Sequence, residues 1–207
     1  MSSSSRKMLQ AAAGNAGGGD FYPYTIDNSC RFDGSSAYMR RVFSTPSDSK
    51  KYTLSVWVKK GTYGYGQILT AYPSSGVFSG LNFSDDEQRI TEVNPANTQA
   101  IYLDSVAKYR DQSAWYHLLF SVDTTQATAS NRVRFFVNGI QTTDFVSPTN
   151  QQPSQNYNNL IGSAIAHLIG AFPTLGAGSA GSNYFYGYMA EYIFFLTEIC
   201  WFFSLTI

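Results

Sequence analysis

The clearest local signal in the sequence is Arg132-Val-Arg-Phe-Phe-Val137, Asn138-Gly139, Ile140-Gln-Thr-Thr-Asp-Phe145. An Asn-Gly pair supplies the two residues of positive φ that a type I′ turn requires. These residues therefore predict a β-hairpin whose two strands meet at Asn138-Gly139.

Strand patterns continue on both sides of this hairpin. Residues 52–59 alternate, with Tyr52, Leu54, Val56 and Val58 on one face and polar residues and Trp57 on the other, which predicts a half-buried strand. Residues 115–122 are mostly aromatic and aliphatic between two polar stretches, which predicts a more deeply buried central strand. Weaker strands are predicted at 29–32, 37–43, 66–71, 77–83, 88–93, 100–106, 158–161, 165–170 and 184–195.

About a dozen short strands with no long helical period indicate an all-β fold. The expected architecture is a two-sheet antiparallel β-sandwich of the jelly-roll type. The length of 207 residues suits one domain. Fourteen Lys and Arg balance fourteen Asp and Glu, so the chain lacks the basic field that nucleic-acid binding needs. Aromatic residues make up 16% of the chain, which argues against a disordered protein.

The two ends differ from the middle in composition. Residues 1–20 combine a serine run with Gly17-Gly18-Gly19 and are expected to form a flexible polar leader, followed by the domain at 21–195. Residues 193–207 are almost wholly apolar, but they are too few for a membrane span and include Glu198. Cys30 and Cys200 either form a disulfide between the first and last strands or remain two buried thiols.

Five motifs, in this order along the chain, resemble the laminin G-like, concanavalin A-like lectin/glucanase superfamily. They are Phe32-Asp33-Gly34-Ser35-Ser36-Ala37-Tyr38, Thr53-Leu54-Ser55-Val56-Trp57-Val58-Lys59, Trp115-Tyr116-His117, Phe136-Val137-Asn138-Gly139 and Gly187-Tyr188-Met189-Ala190-Glu191. The resemblance covers about residues 28–195 and implies a concanavalin A-like jelly roll.

A narrower set of residues is similar to tail-fibre-like proteins of marine and cyanobacterial phages: Ser113–His117, Val122–Thr128 and Ile165–His167. This resemblance implies a virion or otherwise extracellular location. The family's usual ending continues into an Asp-Gly turn and a polar tail, whereas this chain departs from that pattern after Phe195. We therefore expect residues 196–207 to be an atypical apolar extension, produced by a frameshift or a truncation.

The residues argue against glycoside hydrolysis. Glucanases on this scaffold need carboxylates at alternate positions of one strand, and none of the four glutamates Glu87, Glu92, Glu191 and Glu198 has an acidic residue two or four positions away within a strand. His117 and His167 lie in apolar segments and are expected to be packed and hydrogen-bonded rather than metal-bound. No cofactor is expected. For calcium, which some lectin-like domains hold, Asp85 and Asp86 are the candidates, with a solvated acidic turn as the alternative.

Candidate ligand-binding residues are tyrosines in loops, because sugar rings stack on aromatic faces. Tyr63 and Tyr65 lie in a glycine-rich segment, and Tyr184 and Tyr186 precede the last family-like strand. The alternative is that these rings close the ends of the core or lie at a subunit contact. The Asn- and Gln-rich residues 150–159 predict a long surface loop, used for recognition or merely as a connector.

Three functions remain in order of preference. The first is a non-catalytic lectin-like module of a phage appendage that binds host-surface glycan. The second is a purely structural virion or fibre component, with other virion proteins as partners. The sequence leaves open whether the chain forms a homo-oligomer. The third is a glycosidase.

Overall fold

The computed structural model describes residues 28–43, 48–96, 98–146, 150–173, 180–196 and 199–203, with backbone only for Ala180 and the last segment. The predicted leader at 1–20 and the chain beyond 203 lie outside these residues. Fifteen strands lie within the described ranges. They are β1 Cys30–Asp33, β2 Met39–Val42, β3 Lys51–Lys60, β4 Gly66–Ser74, β5 Val77–Ser84, β6 Glu87–Val93, β7 Gln99–Lys108, β8 Tyr116–Asp123, β9 Val133–Val137, β10 Ile140–Thr142, β11 Ala166–Ile169, β12 Phe172–Pro173, β13 Ala180–Ser182, β14 Tyr186–Leu196 and β15 Ile199–Phe203.

Two antiparallel sheets form the sandwich, as the sequence predicts. The front sheet has the order β1-β14-β3-β8-β9-β10, with β15 also paired to β14. The back sheet has the order β2-β11-β4-β5-β6-β7, and β12 pairs with β13 in a small third sheet. None of the described helical residues forms a segment long and apolar enough to cross a membrane.

The alternation of residues 51–60 determines which side of the front sheet faces the core. Every second residue of β3 is buried, including Leu54, Val56 and Val58, while its neighbours are half-buried. Strand β8 shows the same alternation, with Leu118, Phe120 and Val122 buried. It is therefore a central strand, but it is less deeply buried than its apolar sequence predicts, because its second face is turned to solvent.

The predicted hairpin is present. Asn138 and Gly139 have φ values of 51° and 79°, as a type I′ turn requires, and Ile140 pairs with Val137. The strand predicted at 158–161 is wrong. Those residues form a turn, in which the Leu160 amide donates to the Glu92 carboxylate at 3.0 Å and the Asn159 amide donates to the Ser49 carbonyl at 3.1 Å. These groups take the place of a neighbouring strand.

The disulfide interpretation is also wrong. Cys30 is a free thiol that pairs across the sheet with Met189, whereas Cys200 pairs with Phe195 on the same strand, β14. Six residues of extended strand separate the two positions by about 20 Å. A disulfide needs Cα atoms within about 7 Å.

Candidate functional site

One end of the sandwich collects most of the exposed aromatic side chains. Strand β3 ends at Lys60 opposite Gly187, near the beginning of β14. The loops that follow β1, β3 and β5 and the loop that precedes β8 therefore meet at this end. The exposed aromatic residues found there are Tyr38, Tyr63, Tyr65, Trp115, Tyr186 and Tyr188.

An aromatic platform, defined by Trp57, Trp115, Tyr186 and Tyr188, lies on the outer face of the front sheet at this end. Tyr186 and Tyr188 alternate with the buried Gly187 and Met189, so both rings point to solvent. The Trp115 and Tyr188 ring centroids are 6.5 Å apart. Trp115, Tyr186 and Tyr188 are each 38–39% exposed, which leaves part of every ring available to a ligand.

Glycines determine where the Tyr186 ring lies. A Cβ atom on Gly61 would be 2.6 Å from two carbons of that ring, and one on Gly34 would be 3.0 Å from the Tyr186 Cβ. Such distances are shorter than ordinary carbon contacts. Because both positions lack a side chain, the ring can lie across the ends of the β1–β2 and β3–β4 loops.

Polar groups surround the platform. Register places Tyr188 between Arg31 on β1 and Lys59 on β3. The next row towards the centre holds His117, whose Nε2 lies 2.8 Å from the Ser55 hydroxyl and whose ring centroid is 5.1 Å from that of Trp57. Burial lowers the pKa of His117 below its usual value. The imidazole is therefore neutral at pH 7, so it offers hydrogen-bonding groups and no positive charge beside the platform.

Two loops beside the platform are fixed by their own carboxylates. Asp33 Oδ1 accepts from the amides of Ser35, Ser36 and Ala37, and these bonds, that of Ala37 foremost, hold its pKa well below the usual range. Asp111 accepts from the side chain and the amide of Ser113, with the same effect on its pKa. Both loops therefore keep a defined shape next to Tyr186 and Trp115.

The structure brings the two tyrosine segments predicted from the sequence side by side. The Gly61 amide donates to the Tyr186 carbonyl at 2.8 Å, and the Gln67 amide donates to the Asn183 carbonyl at 3.4 Å. Tyr186 belongs to the platform and Tyr184 lies half-buried next to it. Tyr63, which is 63% exposed, is at the loop tip, whereas Tyr65 directly precedes β4 of the back sheet.

Three platform residues were missed as candidates in the sequence. Tyr188 lies two positions after Tyr186 and so shares its face of the strand. Trp57 lies on the outer face that the alternation of β3 already predicts. Trp115 directly precedes β8, and only the register between β3 and β8 brings it next to Tyr188.

The calcium candidates Asp85 and Asp86 occupy the turn between β5 and β6, where both have positive φ. Asp86 is buried and bonded to the buried Lys60 ammonium, and its Oδ1 also accepts from the Gly64 amide at 2.9 Å. Arg110 Nε lies 3.5 Å from Oδ2. Asp85 is exposed. A calcium ion would have to displace the Lys60 ammonium from Asp86. The role of Asp86 in this turn is therefore to fix the loop that carries Tyr63, through the Gly64 amide, rather than to bind a metal.

We expect the melting temperature of the protein to be the same in excess calcium chloride and in EDTA, within about 1 °C. A ligand that binds only the folded state would raise it, and here the available carboxylate is already neutralised by two cations. Thermal unfolding followed by circular dichroism measures this. A calcium-dependent rise that Asp86→Asn abolishes would place a metal at this turn after all.

His167 is packed and hydrogen-bonded, as its sequence context predicts. Its Nδ1 donates to the Ile165 carbonyl at 2.9 Å and its Nε2 accepts from the Gly162 amide at 3.1 Å. Burial lowers its pKa to about 4. Among the described side chains, none of the His, Cys, Asp and Glu residues form a group of three or more that could hold a metal ion.

Comparison with known proteins agrees with this fold. The family model of the concanavalin A-like lectin/glucanases superfamily matches residues 33–197. The chain belongs to this superfamily. No curated protein sequence matches the chain.

Similar solved structures come from laminins and from a bacterial sialidase. Domains LG4-5 of the mouse laminin α1 chain are 14% identical with a TM-score of 0.56, over 86% of this chain and 44% of that one. The LG1-3 region of the laminin α2 chain is 13% identical with a TM-score of 0.57, over 82% and 31%. This superfamily member thus spans less than half the length of either laminin structure. The CBM40 of the Ruminococcus gnavus IT-sialidase, bound to α2,3-sialyllactose, is 13% identical with a TM-score of 0.51, over 79% and 90%.

Proposed function

We propose that this superfamily member is a non-catalytic carbohydrate-binding module whose ligand stacks on the aromatic platform. The observation that carries the proposal is the grouping of Trp115, Tyr186 and Tyr188, all partly exposed, on one face of a rigid sheet. Sugar rings present flat apolar faces that pack on aromatic rings, while their hydroxyls need a few fixed polar partners. Arg31, Lys59 and the Ser55–His117 pair provide such partners at the platform margin.

The fold is compatible with a sugar site. The Ruminococcus gnavus CBM40, which has this fold, was solved with α2,3-sialyllactose. The low identity limits that comparison to the fold, so the proposal for this chain rests on its own platform. The ligand is expected to be a glycan of a cell surface.

The positions of Glu87 and Glu92 support the absence of catalysis. Glu92 lies between the sheets, where its carboxylate accepts from Leu160 at 3.0 Å. Glu87 pairs with Lys108 at 3.1 Å. Retaining and inverting hydrolysis both need two carboxyl groups that flank a bound sugar, one of them protonated as the general acid, and neither Glu87 nor Glu92 faces the platform. Asp33 and Asp111 lie in the loops beside the platform, but hydrogen bonds lower the pKa of both carboxyl groups, so neither supplies that acid.

We place the module on a phage virion appendage, and therefore outside the cell. This part of the proposal rests on the similarity of residues 113–117, 122–128 and 165–167 to tail-fibre-like phage proteins. Its partners would be cell-surface glycan and other virion proteins, in a homo-oligomeric fibre. A folded protein that assembles but binds no glycan would favour the purely structural role instead.

Replacing Tyr188 or Trp115 by alanine is expected to weaken glycan binding about five- to thirtyfold, because each change removes one stacking surface, worth about 1–2 kcal/mol. A glycan array identifies the ligand, and isothermal titration calorimetry then measures the dissociation constant of each variant.

The matched control is Phe195→Ala. Phe195 is 41% exposed and lies on the outer face of the same strand as Tyr188, at its other end. This variant is expected to bind as the wild type does. Equal binding by all three variants would exclude the platform as the site.

A further inference from the structure

A second candidate site lies at the other edge of the front sheet. A groove of about 520 Å³ opens between the β9–β10 hairpin, the 3-10 turn Ala129–Asn131 and the segment after β10. Its lining residues are Ala129, Ser130, Asn131, Val133, Gln141, Thr142, Thr143, Phe145, Asn150 and Gln152. Strand β10 is four strand spacings from β14, about 19 Å, so the groove is separate from the platform.

The segment after β10, which lines one side of the groove, contacts both sheets. After β10 the chain crosses to the edge of the back sheet. There the Val146 amide donates to the Asp104 carbonyl at 2.9 Å, and Tyr102 and Gln151 exchange two backbone hydrogen bonds of 2.8–2.9 Å. The Phe145 ring packs edge-on against Phe135, with the centroids 5.5 Å apart. The groove is therefore a preformed feature of the seam between the sheets.

The chemistry of the lining is neutral and polar. Seven of the ten lining residues carry a carboxamide or a hydroxyl group and none is charged. The neighbouring Arg132 is unavailable, because its guanidinium donates to the carbonyls of Gln126, Ala127 and Pro153, each at 2.9 Å. Gln152 Nε2 donates to the Val133 carbonyl at 3.5 Å, while its Oε1 accepts no hydrogen bond from the described residues.

We propose that this groove binds a neutral sugar. A charged ligand would find no countercharge in the lining, and an apolar ligand would cover polar side chains, such as Asn131 and Gln141, that are otherwise exposed to water. Carboxamides both donate and accept, as sugar hydroxyls do, and the Phe145 ring offers one apolar surface. The volume is within the range of small-molecule sites. Asn150 and Gln152 belong to the Asn- and Gln-rich loop whose sequence left recognition open as a role.

The test is titration of the ¹⁵N-labelled full chain with lactose, cellobiose and mannobiose, followed by NMR. We expect saturable shifts of the side-chain amide signals of Asn131, Gln141, Asn150 and Gln152 with at least one of these sugars. The double variant Asn131→Ala/Gln141→Ala is expected to raise that dissociation constant at least tenfold. Both residues are exposed, so thermal unfolding of the variant should match that of the wild type.

Two controls separate this site from the platform. Gln155→Ala removes an exposed carboxamide outside the groove and should leave the titration unchanged. Tyr188→Ala should also leave the groove shifts unchanged, even if it abolishes glycan binding at the platform. The proposal is overturned if none of the three sugars shifts the groove signals at about 10 mM, which would saturate a millimolar site. It is equally overturned if Asn131→Ala/Gln141→Ala binds as tightly as the wild type.

Discussion

Asp86→Asn is expected to lower the free energy of unfolding by about 3–5 kcal/mol, the cost of leaving one partner of a buried ion pair uncompensated. Lys60 and Asp86 are both about 5% exposed. Burial opposes ionisation of Asp86, but the hydrogen bonds from Lys60 and the Gly64 amide, with the charges of Lys60 and Arg110, outweigh it and lower the pKa of the carboxyl group. Asparagine tolerates the positive φ of this position, so the change removes charge rather than backbone freedom. Urea unfolding at pH 7 measures the loss.

Asp85→Asn is the matched control, because it makes the same chemical change one residue earlier in the same turn. The Asp85 side chain is exposed, so this variant should differ from the wild type by less than about 0.5 kcal/mol. If Asp86→Asn does not fold, the double variant Lys60→Met/Asp86→Asn tests the ion pair instead. Removing both charges should restore most of the free energy of unfolding. Equal losses in the two asparagine variants would refute the ion-pair account.

The same ion pair also bears on the proposed function. Asp86 accepts from the Gly64 amide and so ties the loop that carries Tyr63 to the β5–β6 turn. The pair could not be predicted from the sequence, because 26 residues separate its partners and Lys60 ends a strand whose lysines would ordinarily be solvated. Sequence patterns indicate which residues are acidic and in turns, but not which cation the fold brings against them.

Local patterns were sufficient for most of the fold. The alternation of residues 52–59 and the Asn138-Gly139 turn depend on neighbouring residues alone, and both are present as predicted. The false strand at 158–161 shows where such reasoning fails. Leu160 and Ile161 look like a strand, but a carboxylate on β6 and a carbonyl at Ser49 satisfy the backbone there.

The candidate site was only partly predictable for a related reason. Tyr184 and Tyr186 could be found from composition, whereas the platform depends on cross-strand neighbours. Trp115 meets Tyr188 only because β3 lies between β8 and β14. The groove could not be predicted either, because Gln141 and Asn150 come together only where the two sheets meet.

Glu92→Gln is expected to stabilise the protein more at pH 8 than at pH 5, by about 2–3 kcal/mol. Burial raises the pKa of Glu92 to about 7, against the nearby hydroxyls of Tyr157 and Ser79 and the hydrogen bond from the Leu160 amide, which lower it. The folded state therefore prefers the protonated acid, while the unfolded chain loses that proton near the usual value of 4.5. The contribution of Glu92 to stability is complete below about pH 4.5 and is lost as the pH rises through 7. A difference of 2.5 units corresponds to about 3 kcal/mol.

Glutamine reproduces the neutral acid at every pH and keeps an oxygen for the Leu160 amide. The wild type alone would not reveal the effect, because His167, with a pKa lowered to about 4, contributes the opposite dependence: its stability is complete above about pH 6.5 and is lost as the pH falls through 4. These two contributions nearly cancel between pH 5 and 7. The contribution of His167 cancels in the difference between the unfolding free energies of the wild type and Glu92→Gln, because both proteins contain this histidine.

The measurement is urea unfolding of both proteins at pH 5 and pH 8. The control is Glu87→Gln, the same change on the same strand at a half-buried glutamate paired with Lys108, which should show no such gain at pH 8. A stability difference for Glu92→Gln that is constant between the two pH values would mean that Glu92 titrates normally in the folded protein. The carboxylate would then have to be solvated, which contradicts its place between the sheets, so this result would also question the packing of the 158–165 turn against β6.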